Sequence, residues 1–285
     1  MPNRPSRQAP AGAGWIIKGA LLMSLFTAGC QGFLESQIFF PQRELEATPA
    51  SVGLGYENLR IKTSDGLVLH AWLVPSLEAR HLVVLCHGNA GNVSHRVDLL
   101  RRLHALGVSL LIFDYRGYGQ SQGQPSERGF FLDAEAVMER ARELAGRGGL
   151  RLVIHGHSLG GIAAAHMASL PPPPRKAAVA GLVLESAFPH LGAIGSAHFP
   201  LPLLKLALKS HFDALSRIER VACPILGLHG DRDDIVPLAL GRELFAAAPE
   251  PKRFITLKGA GHNDTYLAAE EAYFQAWREF LAGIE

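Results

Sequence analysis

The stretch Leu150-Arg151-Leu152-Val153-Ile154-His155-Gly156-His157-Ser158-Leu159-Gly160-Gly161-Ile162 decides how this chain folds. Leu150–Ile154 is a short apolar run of the kind buried on both faces of a sheet. Leu159–Leu170 reads as a helix, stopped by Pro171-Pro172-Pro173-Pro174. A serine therefore stands at the apex of a strand-to-helix turn. Such a turn crowds the backbone, so the side chains at its flanks must vanish. Gly156 and Gly160 meet that need, and Gly161 lets the helix approach the sheet. The turn lifts the Ser158 hydroxyl above the sheet edge and aims the positive end of a helix at it.

The same alternation continues on both sides. Glu57–Lys62 and Leu67–Val74 are strand-like runs around Ser64-Asp65-Gly66, a hairpin signal. His81–Cys86, Val108–Phe113, Leu182–Leu184, Ile225–Leu228 and Phe254–Leu257 read as further strands. Val93–Leu106, Glu127–Ala145, Leu238–Ala247 and Thr265–Ala282 carry apolar residues at helical spacing. Strands alternating with helices imply an α/β fold, a mostly parallel sheet with helices on both faces. Ligands of such sheets bind beyond the carboxyl ends of the strands, so chemistry is expected in the loops that follow them.

Composition narrows the function. The chain has 285 residues, 48% hydrophobic and 19% charged, with a net charge of +2. This excludes a disordered, highly charged chain. It also argues against a nucleic-acid partner bound through bulk charge. The two cysteines in apolar strands, Cys86 and Cys223, read as buried free thiols. No metal-ligand motif stands out. The pair His155 and His157 has no fitting third ligand, so no metal and no organic cofactor is expected.

Serine needs a base to become a nucleophile, and the base needs a carboxylate to hold its tautomer. Downstream, His229-Gly230-Asp231-Arg232-Asp233-Asp234-Ile235-Val236-Pro237 follows one strand. Gly259-Ala260-Gly261-His262-Asn263-Asp264 follows the last. Both loops lie on the side where Ser158 emerges. Asp231, Asp233 and Asp234 are all candidates for the acid on this ground alone.

With these motifs the chain resembles the α/β-hydrolase superfamily, in its serine-aminopeptidase-like or lysophospholipase-like branch. His87-Gly88-Asn89-Ala90-Gly91-Asn92 and Asp114-Tyr115-Arg116-Gly117-Tyr118-Gly119 belong to the resemblance, which runs from about residue 38 to the C-terminus. It implies a catalytic triad of Ser158, Asp233 and His262. Among the thirteen histidines, His262 has the right place in chain order; His198 and His211 precede the acid, and His155 and His157 are held in the strand and elbow. The resemblance implies an oxyanion hole from the backbone N–H groups of Leu159 and Asn89, with Ala90 the alternative to Asn89. Asp114, Arg116 and Tyr118 are expected to buttress the oxyanion loop. Asp264 is expected to cap the last helix. Residues 186–217 form an apolar, loosely patterned insertion, expected as a lid.

The first residues pose a separate question. Arg4, Arg7 and Lys18 precede an apolar run, Gly19 to Gly29, with no acid among them. This reads as a signal peptide over residues 1–29. Thr27-Ala28-Gly29-Cys30 resembles a bacterial lipobox, although Thr27 stands where leucine is usual. It implies lipidation of Cys30, a tether over residues 30–50 and a hydrolase domain over residues 51–285. Removal of residues 1–29 would change the net charge from +2 to −1. Gln31 resembles sequences sorted to the bacterial outer membrane, facing the periplasm.

The function so expected is hydrolysis of small-molecule carboxylic esters, thioesters or lysolipid-like acyl esters, at a membrane reached through the lipid. A serine peptidase acting on short peptides is the enzymatic alternative. A non-catalytic lipoprotein scaffold is the alternative of another class. Oligomeric state is left open.

Overall fold

The computed structural model describes residues 36–284, apart from 175, 199–207 and 209. The chain divides into two units, Met1–Phe39 and Phe40–Glu285. Of the first, only residues 36–39 are described, so the signal peptide and Cys30 lie outside the described residues, as does the central part of the expected lid.

The second unit is built on one eight-stranded sheet. Its strands are β2 (Glu57–Lys62), β3 (Val68–Val74), β4 (His81–Cys86), β6 (Ser109–Phe113), β7 (Arg151–His157), β8 (Val179–Glu185), β9 (Ile225–Gly230) and β10 (Lys252–Leu257). They run in the order β10-β9-β8-β7-β4-β6-β3-β2. β2 pairs antiparallel with β3, and β3 antiparallel with β6; every other neighbour is parallel. Two short segments, β1 (Phe40–Pro41) and β5 (Ala90–Gly91), pair in parallel beside it.

Alternate side chains explain why the central strands read as continuous apolar runs. Val83 and Leu85, Leu110 and Ile112, Val153, Val183, and Leu226 and Leu228 belong to one core cluster. They pack with Leu100 and Leu103 of α1 (Val97–His104) and Tyr273, Trp277 and Leu281 of α8 (Glu270–Gly283). Their strand neighbours Leu82, Val84, Leu111, Leu152, Ile154 and Leu182 are equally buried. Helices α2 (Glu127–Gly148) and α3 (Leu159–Ser169) pack against the central strands, α3 lying on β7 and β8. Burial on both faces is what a parallel sheet requires.

Further helices are α4 (Leu191–His198), α5 (Leu215–Ile218), α6 (Leu238–Ala246) and α7 (Thr265–Ala268). The C-terminal helical stretch expected over residues 265–282 is broken at Ala269, whose φ of −125° and ψ of 42° are not helical. The helix expected from Val93 opens as a 3-10 turn over Val93–Arg96, because the Asn92 side chain accepts from the Ser94 N–H and holds a tighter turn.

Several strand boundaries differ from the sequence reading because tertiary pairing extends structure beyond local pattern. β7 continues to His157, since Gly156 and His157 still pair with Leu184 and Glu185. β8 starts at Val179. Residues 40–50, expected as tether, hydrogen-bond to the body: the Phe40 N–H donates to Asn89 O, Gln42 N–H to Gly91 O, and Glu46 N–H to Ser94 Oγ. Asn92 Nδ2 donates to the carbonyls of Gln42 and Glu44. The expected lid is anchored at its far end, where Glu127 at the start of α2 accepts from the Phe212 N–H and meets His211 Nδ1, both at 2.6 Å.

Candidate active site

Ser158 sits between β7 and α3 with φ 55° and ψ −123°, a conformation L-residues avoid. The reason is visible in the glycines around it. A Cβ on Gly160 would lie 2.0 Å from Cys86 O, and one on Gly156 would lie 2.3 Å from Gly160 O. The first turn of α3 is pressed onto the ends of β4 and β7, and the chain reverses through Ser158 to get there. The Ser158 N–H donates to Glu185 O at 2.9 Å, which pins the strained residue to β8. Such strain costs on the order of 1–3 kcal/mol and is held by its surroundings.

The acid and the histidine meet. His262 Nδ1 lies 2.8 Å from Asp233 Oδ2, both side chains being buried. The other oxygen, Asp233 Oδ1, accepts from the N–H groups of Ile235 and Val236. His229 Nε2 donates to Val236 O at 2.8 Å and lies 3.4 Å from Asp233 Oδ2. Burial alone would raise the Asp233 carboxyl. The hydrogen bonds from His229 and His262, the field of His262 and the Val236 N–H outweigh it and hold the carboxyl well below its ordinary range. An ionised acceptor requires Nδ1 of His262 to carry a proton; in the neutral ring Nε2 then presents a lone pair.

The neighbouring acids have other duties. Asp231 accepts from the Gly259 N–H at 2.7 Å and ties the acid loop to the histidine loop. Asp234 is exposed. Asp264 makes no side-chain cap on α7, contrary to the sequence reading; its Oδ1 accepts from the Gly261 N–H at 2.6 Å and closes the turn that carries His262.

His157, the residue before Ser158, ties the elbow to the His262 turn. His157 Nε2 donates to His262 O at 2.8 Å, and the two rings lie 4.9 Å apart. Among the hydrogen bonds of the described residues none runs from Ser158 Oγ to the His262 ring. Burial holds His157 neutral, at about 4.

The loop expected to supply the oxyanion hole is braced by hydrogen bonds. His87 Nδ1 donates to Gly88 O at 2.7 Å. In a trans peptide the N–H points opposite its C=O, so this bond sets the direction of the Asn89 N–H. Tyr118 Oη donates to Asn89 O at 2.6 Å, and Tyr115 Oη to His87 O at 3.3 Å. Asp114 accepts from the Val93 N–H at 2.9 Å and lies 3.2 Å from His70 Nδ1. Arg116 spans Asp133 and Asp65 at 2.8 Å each. Tyr115 and Tyr118 thus hydrogen-bond to the His87–Asn89 loop, while Arg116 of the same segment bonds elsewhere. Leu159 is the first residue of α3, where a helix leaves its N–H without an intrahelical partner.

Sequence reasoning missed Glu185. It is 2% exposed at the end of β8. Its carboxylate takes His155 Nε2 at 2.7 Å, Tyr273 Oη at 2.8 Å and Thr265 Oγ1. Burial would raise its carboxyl, but the hydrogen bond and charge of His155 outweigh that and hold it at about 2. Its place directly after an apolar strand was the available signal. His155 and His157, weighed as metal ligands, are instead committed to Glu185 and to the His262 carbonyl. Cys86 and Cys223 are both buried free thiols.

An eight-stranded, mostly parallel sheet with a serine elbow, a carboxylate loop and a histidine loop at its carboxyl edge defines the α/β-hydrolase superfamily, and this chain belongs to it. The family model described as serine aminopeptidase, S33 matches residues 77–212. Rv2307c of Mycobacterium tuberculosis is 38% identical over 91% of this chain and 92% of its own. The α/β-hydrolase domain-containing protein WAV2 of Arabidopsis thaliana is 31% identical over 94% and 91%. Among solved structures, the Pyrococcus furiosus esterase Pf2001 superposes with a TM-score of 0.71 at 21% identity, over 86% of this chain and 97% of that one.

Proposed function

We propose that the protein is a serine hydrolase that cleaves carboxylic esters through an acyl-enzyme on Ser158. The observation that carries this reading is the buried Asp233–His262 pair, 2.8 Å apart, on the loops that border the strained Ser158 elbow. Nε2 of His262 takes the hydroxyl proton as Ser158 Oγ attacks the ester carbonyl. The N–H groups of Leu159 and Asn89 receive the negative oxygen, each such donor contributing about 10²–10³ in rate. The imidazolium, stabilised by ionised Asp233, protonates the departing alcohol. Water then enters, His262 takes its proton, and the tetrahedral intermediate collapses to free acid and restored serine.

Esters are favoured over peptides by the state of the acids around the elbow. A free substrate amine needs an unoccupied carboxylate, whereas Glu185 and Asp233 already accept from several donors each. The esterase among the fold neighbours agrees with this choice by analogy. A fluorophosphonate probe is expected to label the wild type and not Ser158→Ala. Turnover of p-nitrophenyl esters of graded length should exceed that of aminoacyl-anilides; faster anilide cleavage would replace the esterase by a peptidase, and no labelling would favour a scaffold.

We further propose that Cys30 is lipidated after removal of residues 1–29 and holds the enzyme at the bacterial outer membrane, facing the periplasm. More than one acyl chain is required for stable anchoring. Cys30→Ser should move the protein into the soluble fraction; unchanged membrane retention would overturn the anchor.

A further inference from the structure

A cavity of about 120 Å³ lies beside the elbow, lined by Arg96, His155, His157, Glu185, Asn263 and Tyr266 among others. It touches the residue before Ser158 and the residue after His262, yet the ester mechanism above does not use it. Its walls are unusual in what they leave unspent. Arg96 forms no ion pair among the described residues; its two hydrogen bonds, to His95 O and Ala90 O, are long at 3.5 and 3.4 Å. His155 is 1% exposed, and its Nδ1 has no hydrogen-bond partner. His157 spends Nε2 on a carbonyl, so its Nδ1 offers a lone pair.

The charges around the cavity select the ligand. Glu185 is the acid in its wall, and three donors already occupy its carboxylate. His95 Nε2 is engaged by Glu46 at 3.3 Å. Among the described residues, the lining donors without a strong partner are the Arg96 guanidinium, the Tyr266 hydroxyl and the Asn263 amide; the acceptors are His157 Nδ1 and the buried His87 Nε2. A guanidinium recognises carboxylate and phosphate through paired N–H donors. A neutral imidazole nitrogen beside it accepts from a hydroxyl. We propose that this cavity binds a small hydroxylated anion, a polyol phosphate or hydroxy acid, with its anionic oxygens on Arg96 and Tyr266 and a hydroxyl on His157 Nδ1. Two sources fit this chemistry: the head group of the ester substrate itself, or a free effector pressing on the back of the His262 loop.

Calorimetric titration of the full-length chain in detergent, with glycerol 3-phosphate as probe, tests the site. Saturable one-to-one binding is expected, with inorganic phosphate weaker and glycerol without effect. Arg96→Met should weaken it at least about tenfold and Tyr266→Phe roughly threefold, while Arg96→Lys retains part. Ser158→Ala should bind like the wild type, so the site stands or falls apart from the nucleophile. Competitive inhibition of ester hydrolysis by the probe assigns the cavity to the substrate's head group, and non-competitive inhibition to an effector. Absence of saturable binding to the wild type, or equal binding by wild type, Arg96→Met and Tyr266→Phe, overturns the proposal.

Discussion

Two histidine–carboxylate pairs lie side by side at the carboxyl edge of this sheet. His262–Asp233 closes at 2.8 Å and His155–Glu185 at 2.7 Å, and all four side chains are buried. Their surroundings set them apart. Asp233 stands on a loop and is fixed by two backbone N–H groups, leaving its histidine on a turn that borders the elbow. Glu185 ends a strand and is fixed by side-chain hydroxyls of α7 and α8, leaving its histidine inside β7. The first pair is the one we propose moves a proton. The second clamps the site: through its carbonyl Glu185 holds the Ser158 N–H, and through its carboxylate it holds Thr265, three residues beyond His262. Under the proposed mechanism, like chemistry gives one pair a reaction and the other a position.

The contrast can be broken by experiment. Ser158→Ala or His262→Ala should lower kcat for a p-nitrophenyl ester by roughly 10⁴–10⁶, whereas His155→Gln should leave turnover readily measurable. Comparable losses from both histidines would erase the distinction. Asp233→Asn should cost about 10⁴ in kcat with little change in melting temperature, because the amide keeps the shape and presents the wrong tautomer. Glu185→Ala should do the reverse: a buried partner is left uncompensated, at about 3–5 kcal/mol of stability in denaturant unfolding, with residual activity in the fraction still folded.

Acid titration sharpens the comparison further. Burial holds His87 and His157 neutral, each at about 4, below the ordinary value near 6.5. The unfolded chain then binds more protons between those values, so their contribution is full above about pH 6.5 and is lost as pH falls toward 4. Glu185, held at about 2, keeps its contribution above about pH 4.3 and loses it below. The midpoint of urea unfolding should therefore drop between pH 6.5 and 4, and His157→Gln should flatten part of that slope. The smallest effect is expected at the proposed oxyanion hole. Leu159→Ala should change kcat by less than about tenfold, because the donor is a backbone N–H that alanine retains.

Legibility followed the physics of each feature. The elbow was readable because close approach of α3 to the sheet excludes side chains at Gly156 and Gly160, a local demand that leaves a mark on sequence. The order of strands and helices was readable from apolar periodicity. Ends of strands were not: β7 reaches His157 and β8 begins at Val179 through ladders with neighbours far along the chain. Asp264 kept the composition of a helix cap and made a different bond, since the Gly261 N–H lay closer to hand. Glu185 and Arg96 carried no motif. A buried glutamate gains meaning only when Thr265 and Tyr273 are brought to it from 80 and 88 residues away.

By itself, the order of residues determined the architecture and the chemistry-bearing loops, because apolar period and glycine placement act over a few residues at a time. Tertiary structure alone decided that Glu185 faces His155, and that the Arg96 guanidinium, beside a cavity, has no ion-pair partner among the described residues. Those outcomes depend on distances between segments that only the closed sheet sets, and no local pattern encodes them.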